Sequence, residues 1–87
     1  MTVHYLDKAN PDLGSYEVSR GPDGYRWTWC ETAKGQFYKD HGEWWPTEAA
    51  AYRDAANDWE YNGNRTSRLA AQLRAAATRS EKKAASS

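Results

Sequence analysis

Two stretches of alternating apolar and polar residues lie early in the chain, separated by a strong turn signal. Residues 15–20 alternate from one position to the next, and residues 25–32 do so around Trp27 and Trp29. A period of two is typical of β-strands that bury one face. Residues 21–24 read Gly-Pro-Asp-Gly, where proline presets φ and glycine accepts positive φ. The pattern predicts a β-hairpin.

A third strand is expected after this hairpin. Lys34 and Gly35 offer a second turn, and residues 36–39 follow as a short extended segment. We expect His41 and Gly42 to break that strand. Together the three segments predict a three-stranded antiparallel β-meander.

An amphipathic helix is predicted to follow the sheet. Thr47 is a suitable N-cap after Pro46, and Glu48 lies where a carboxylate interacts favourably with the helix dipole. Gly63 suits a left-handed cap at the end of this helix. The apolar positions recur with helical spacing and form one stripe, which consists of Tyr52, Ala55, Ala56 and Trp59. This stripe can cover one face of the sheet.

A second helix is predicted from near Thr66 to about Thr78, and residues 81–87, which are small and polar, are expected to be a disordered tail. The narrow apolar strip of the second helix consists of Leu69, Leu73, Ala76 and Ala77. The predicted fold class is therefore α+β. It comprises a three-stranded meander packed by one amphipathic helix, plus a C-terminal Arg-rich helix, in a single domain over residues 1–80.

Aromatic residues supply most of the bulky apolar side chains. The chain has five Trp, six Tyr and one Phe, against two Val, four Leu and no Ile. Each ring buries about 150–250 Å², so a few rings can form a small core or dominate an interface. Strand alternation and helix spacing assign four rings mainly to the core, namely Trp27, Trp29, Tyr52 and Trp59.

Three rings remain as candidates for contact with a partner: Tyr38 and the adjacent Trp44 and Trp45. Neighbouring side chains in an extended segment point to opposite sides, so one of the two Trp residues can be exposed, and which one stays open. With the acidic Asp40 and Glu43, the exposed rings form either a binding patch or a surface that the second helix covers.

The run from Gly24 to Trp59 resembles one β-β-β-α unit of the YegP-like family of small proteins. Residues 33–36 match the turn of that unit, and Thr47 followed by residues 49–51 matches the start of its helix. The resemblance covers about residues 16–59. It implies the β-β-β-α arrangement and brings no catalytic residues with it.

Charge is distributed unevenly, although the formal net charge is zero. Residues 1–62 hold eleven acidic and six basic side chains, whereas residues 63–87 hold six basic side chains and one acidic. Five side chains fall within roughly 60° of one another on the second helix, beside its apolar strip: Arg65, Arg68, Gln72, Arg79 and Lys83. They form either a basic surface for phosphates or an acidic protein, or an ordinary solvated face.

Candidates for catalysis are few. His4 and His41 have no metal-ligand spacing, and Cys30 lies on the strand face opposite Trp27 and Trp29. A reactive thiol needs an electropositive and accessible setting, so we expect Cys30 to be structural and His41 to be a surface residue. The sequence has no nucleophile motif and no phosphate-binding glycine loop. We expect no enzyme activity, no cofactor and no metal.

The first ten residues lack a basic segment followed by an apolar run, and no segment approaches the ~18 apolar residues of a membrane span. We expect a cytoplasmic protein that does not enter a membrane. If the chain is encoded by a phage, this is the cytoplasm of the host.

The function that these features favour is a small non-enzymatic module that binds a larger protein or protein complex stoichiometrically. Phage or mobile-element inhibitors of host defence, including anti-CRISPR proteins, have this size and composition. Two alternatives stay open. One is a nucleic-acid-binding accessory protein that uses the Arg-rich helix, although the acidic remainder of the chain disfavours it. The other is a small structural homodimer, because a helix with only two Leu residues buries little by itself.

Overall fold

A computed structural model of the chain describes residues 3–33, 35–62 and 68–85. The elements, in chain order, are β1 (Val3–Tyr5), a 3-10 turn (Pro11–Leu13), β2 (Ser15–Gly21), β3 (Gly24–Ala33), β4 (Gln36–His41), α1 (Glu48–Tyr61) and α2 (Arg68–Ala85). The predicted α+β class with an antiparallel sheet and two helices is confirmed.

The four strands pair antiparallel in the order β1-β2-β3-β4, so each strand lies beside its neighbour in sequence. The predicted hairpin is present, with Gly21 opposite Gly24 and only Pro22 and Asp23 between them. The prediction of three strands is wrong. β1 has three residues, too few for an alternating pattern to be visible in the sequence.

β4 is longer than predicted. His41 pairs with Thr28, and the amide of Gly42 donates to the carbonyl of Trp27 at 3.1 Å. β4 therefore ends at His41, and the break in the strand comes only after His41 and Gly42 have both contacted β3.

Strand register assigns the side chains to two faces, because directly opposed residues point the same way. The face toward the helices carries His4, Tyr16, Val18, Tyr25, Trp27, Trp29, Glu31, Tyr38 and Asp40. The opposite, open face carries Tyr5, Glu17, Arg26, Thr28, Cys30, Thr32, Phe37, Lys39 and His41. Cys30 is a half-buried free thiol on the open face, opposite Trp27 and Trp29 as predicted.

The core lies between the sheet and the two helices, which also pack against each other. Its members are Tyr16, Val18 and Trp27 from the sheet, Ala49, Ala51, Tyr52, Ala55 and Ala56 from α1, and Leu69, Ala70, Leu73, Ala76 and Ala77 from α2. Alanine dominates the helix contacts, and its small side chain lets the two backbones approach closely. Trp29 and Trp59 are only partly buried against this core, so their assignment to it is correct in part.

Both ends of α1 are capped by polar groups. The hydroxyl of Thr47 accepts a hydrogen bond from the amide of Ala50 at 3.1 Å, as the sequence predicts. At the other end Asn62 is the C-cap, and its side-chain amide donates to the carbonyl of Asp58 at 2.8 Å. Gly63, the predicted cap, lies outside the described residues.

α2 extends to Ala85, well beyond the predicted end at Thr78. The expectation of a disordered tail is therefore wrong for residues 81–85. The guanidinium of Arg53 on α1 donates two hydrogen bonds to Glu81, at 2.6 and 2.8 Å, and so joins this last part of α2 to α1. The predicted start near Thr66 lies outside the described residues.

Candidate functional site: a cleft beside the fourth strand

β4 is the strand that the helices leave uncovered. α1 packs on β2 and β3, and α2 reaches β1 at the other edge of the sheet. All six side chains of β4 are exposed. Phe37 and Tyr38 point to opposite faces, and they are 67% and 54% exposed. Both rings are exposed because neither face of β4 is packed.

Beside β4, on the helix side of the sheet, lies a cleft of about 390 Å³. We call it the β4 cleft. It is lined by Leu6, Leu13, Tyr16, Trp29, Glu31, Asp40, Asp58, Trp59 and Asn62. Six separate parts of the chain contribute, so tertiary packing and not a local motif creates it.

Three aromatic rings are in mutual contact along this cleft. The rings of Tyr16 and Trp29 have centroids 4.8 Å apart, and those of Trp29 and Trp59 are 5.3 Å apart with an interplanar angle of 39°. Trp59 meets Tyr16 edge-on at 6.2 Å. The arrangement holds two indoles at fixed positions without burying them completely.

Gly14 allows Trp29 to occupy this position. Its φ is +138°, a conformation that other residues rarely adopt, and a Cβ atom there would overlap the indole ring. The 3-10 turn that precedes Gly14 supplies Leu13, which lines the cleft.

Each of the three carboxylates of the cleft accepts a hydrogen bond from a neutral donor. The Tyr16 hydroxyl donates to Asp58 at 2.7 Å, the Trp29 indole donates to Glu31 at 3.3 Å, and the His41 amide donates to Asp40 at 2.8 Å. No basic side chain of the described residues lines the cleft. The site is therefore both aromatic and negatively charged.

The pKa of Tyr16 indicates that the charge around the cleft is negative. The pKa of its hydroxyl is raised, first by burial, then by its hydrogen bond to Asp58, and further by the charges of Asp58, Asp40 and Asp54. Each of these neighbouring charges is negative. The cleft thus disfavours any additional anion.

Two exposed apolar side chains line the cleft. In the described part of the chain the large exposed ones are Leu6, Leu13, Phe37, Tyr38 and Tyr61. Leu6 and Leu13 line the cleft, Tyr38 lies opposite Glu31 on the same face, and Tyr61 precedes Asn62 with 89% of its surface exposed. Phe37 points to the open face.

The structure separates the two adjacent Trp residues. Trp45 packs against the core, and its backbone exchanges two hydrogen bonds of 2.7 Å with Tyr25. Trp44 lies against Gly21, with the guanidinium of Arg26 4.3 Å from its ring centroid. Because Arg26 is on the open face, Trp44 and Tyr38 do not form one surface.

Three of the polar residues predicted on the second helix, Gln72, Arg79 and Lys83, lie near β1, at the opposite edge of the sheet from β4. Gln72 and Arg79 border a hollow of about 300 Å³ with Lys8, and Arg79 and Lys83 border another with Glu48. Arg68 is exposed, and Arg65 lies outside the described residues.

His4 is buried beneath these basic side chains, with its ring 5.5 Å from that of Tyr52. Burial lowers the pKa of His4, and the nearby charges of Arg79 and Lys8 lower it further.

Sequence reasoning did not find the β4 cleft. Strand alternation does place Glu31 on the same face as Trp29, and Asp40 lies two residues after Tyr38 in the sequence. Asp58 comes from α1, and its closeness to Tyr16 depends on how the helix docks on the sheet. No local pattern in the sequence contains that information.

No helix in the described residues is long and apolar enough to cross a membrane. The resemblance to the YegP-like family stays a prediction. No protein family matches the chain, and comparisons with curated proteins and with solved structures give no match either.

Proposed function

We propose that this chain is a small non-enzymatic interaction module that binds a larger protein stoichiometrically through the β4 cleft and the side chains around it. One observation carries the proposal. Two of the five large exposed apolar side chains in the described residues, Leu6 and Leu13, line this cleft beside two partly exposed indoles, and the exposed Tyr38 lies opposite Glu31 on the same face of the sheet. Clustered apolar exposure of this kind marks interaction sites, and Trp and Tyr are enriched among binding hot spots.

The backbone of β4 offers a second means of attachment. β4 is an edge strand of six residues whose inner side pairs with β3 and whose outer side has no partner strand within the described sheet. An extended segment of another protein can add to such an edge through backbone hydrogen bonds. Binding of this kind would place the partner directly beside Tyr38 and Asp40.

The form of this function that we favour is inhibition of a host defence system by a phage or mobile-element protein in the cytoplasm. The support is the small size and the aromatic composition of the chain. A chain of 87 residues can block a larger partner by covering its surface, without chemistry of its own.

The adjacent rings of β4 provide a matched test. The protein is used to isolate a partner from its host, and the affinity and stoichiometry of the purified complex are measured by calorimetry. Tyr38→Ala, on the cleft side, should weaken binding about tenfold, the equivalent of ~1.4 kcal/mol. Phe37→Ala, on the open face, is the control and should change the affinity little.

Equal affinities for the wild type and for Tyr38→Ala would contradict the proposed site. Loss of binding with Phe37→Ala alone would place the interface on the open face of the sheet.

A further inference from the structure

The negative charge of the β4 cleft is not balanced by a cation within the described residues. Asp58, Glu31 and Asp40 accept hydrogen bonds only from a phenol hydroxyl, an indole N–H and a backbone amide in this part of the chain. These bonds orient the carboxylates and leave their charges in place. A cation brought by a partner would therefore find three carboxylates already positioned around one cavity.

Two acidic side chains elsewhere on the surface are neutralised by basic side chains within the described residues. Glu81 is paired with Arg53, and Glu60 is paired with Arg74. Both pairs join α1 to α2. The carboxylates of the cleft differ from these in having no such partner among the described residues.

The aromatic side chains make the same site favourable for a cation. The face of an indole ring attracts Lys and Arg side chains, and the attraction increases when the cation is removed from water. Trp29 and Trp59 line the cleft next to the carboxylates. Its volume of about 390 Å³ lies within the range of ligand pockets, roughly 300–1,000 Å³.

We infer that the β4 cleft receives a basic side chain of the partner protein, and that this side chain is an arginine. A guanidinium is planar, so it can stack on an indole while its N–H groups reach more than one carboxylate. Its weaker hydration also makes it easier than an ammonium group to bury beside aromatic rings. The exposed Leu13 and Tyr38 would contact apolar residues next to that arginine.

This inference rests on the proposed function, because it names the chemistry of the partner at the same cleft. A lysine of the partner, or a basic residue from a second copy of this chain, is a different occupant. The basic side chains near β1, Arg79 and Lys8, would be the source in the second case.

The test uses a small probe, N-acetylargininamide, with N-acetylcitrullinamide as its uncharged analogue. Binding is followed by NMR through the indole N–H resonances of Trp29 and Trp59, with Trp44 and Trp45 as internal controls. We expect saturable shifts of the first two resonances with the arginine probe, smaller shifts with N-acetyllysinamide, and none with the citrulline probe. Added salt should weaken the binding.

Two double variants that remove the same amount of charge complete the experiment. Glu31→Gln with Asp40→Asn keeps hydrogen-bond acceptors in the cleft, and should weaken probe binding about tenfold, ~1.4 kcal/mol. Glu17→Gln with Asp23→Asn changes the open face and the hairpin turn, and should leave binding unchanged. The indole spectra show directly whether each variant remains folded.

Three outcomes would overturn the inference. One is equal shifts with the arginine and citrulline probes, another is stronger binding of the lysine probe, and the third is self-association that Arg79→Ala abolishes. The chain can bind a partner through the β4 cleft even if no arginine enters the cleft. A partner whose affinity depends on Tyr38 but not on Glu31 and Asp40 would support the interaction module and contradict the arginine.

Discussion

Trp29 lies over the backbone of Gly14, and this single contact helps to place an indole ring in the β4 cleft. Gly14 has a positive φ, and the space that a Cβ atom would need is filled by the ring. Gly35 also has a positive φ but has open space around it. Substituting alanine at each of the two glycines therefore distinguishes the cost of backbone strain from the cost of steric overlap.

We predict that Gly14→Ala lowers the free energy of unfolding by at least about 2 kcal/mol, because strain and overlap add. Gly35→Ala, which introduces strain alone, should cost about 1 kcal/mol. Urea denaturation followed by tryptophan fluorescence measures both values. A Gly14→Ala variant as stable as Gly35→Ala would mean that Trp29 does not lie over Gly14 in solution.

At the scale of elements, α1 is attached on two sides. The indole N–H of Trp27 donates to Asp54 at 2.7 Å and the hydroxyl of Tyr16 donates to Asp58 at the same distance, so two carboxylates one turn apart hold α1 on the sheet. On its other side, Arg53 binds the last part of α2 through Glu81.

The pair of Arg53 and Glu81 leads to a prediction about pH. Its hydrogen bonds lower the pKa of Glu81 from the ordinary value of 4.5. A carboxyl group whose pKa is lowered by folding stabilises the protein above its unfolded pKa, and loses this contribution as the pH falls through its folded pKa. Glu81→Gln should therefore be less stable than the wild type at pH 7, and the difference should shrink as the pH falls below 4.5.

Denaturation midpoints measured across this pH range test the prediction. Glu43→Gln, at an exposed glutamate without an ion pair among the described residues, is the control and should show no such trend. A stability difference for Glu81→Gln that is the same at every pH would contradict the role given to the pair.

The sequence predicts those elements whose signals are local. β2, β3 and α1 are marked by alternation, by a Gly-Pro-Asp-Gly turn and by the N-cap Thr47, and each was found. β1 is too short to show a pattern, and the end of α2 is attached by a contact with Arg53 that composition does not reveal. The cleft was missed for the same reason, because Asp58 and Glu31 come from different elements.

At the scale of the whole molecule, the apolar strip of α2 does not need a second copy of the chain to cover it. Leu69 and Leu73 are instead fully buried within one chain, in a core that α1 completes. None of the large exposed apolar side chains of the described residues belongs to this strip.

We predict that the protein sediments as a single chain of 9.9 kDa at micromolar concentration. Sedimentation velocity measures this directly. A dimer would contradict the prediction, and Tyr38→Ala would then show whether the second copy pairs along β4. Gln72→Ala, on α2 near β1, is the corresponding control for contact through the opposite edge.

The order of the strands has a consequence for the kinetics of folding. Because each strand pairs with its neighbour in sequence, the sheet can grow from the short β2–β3 hairpin without first closing a long loop, and such topologies fold fast. Packing of the helices on the sheet closes longer loops, and the contact between β1 and α2 carries the largest loop-closure entropy because it joins the two ends of the described chain. We therefore expect the chain to fold outward from its hairpin and to close last where its first strand meets its last helix.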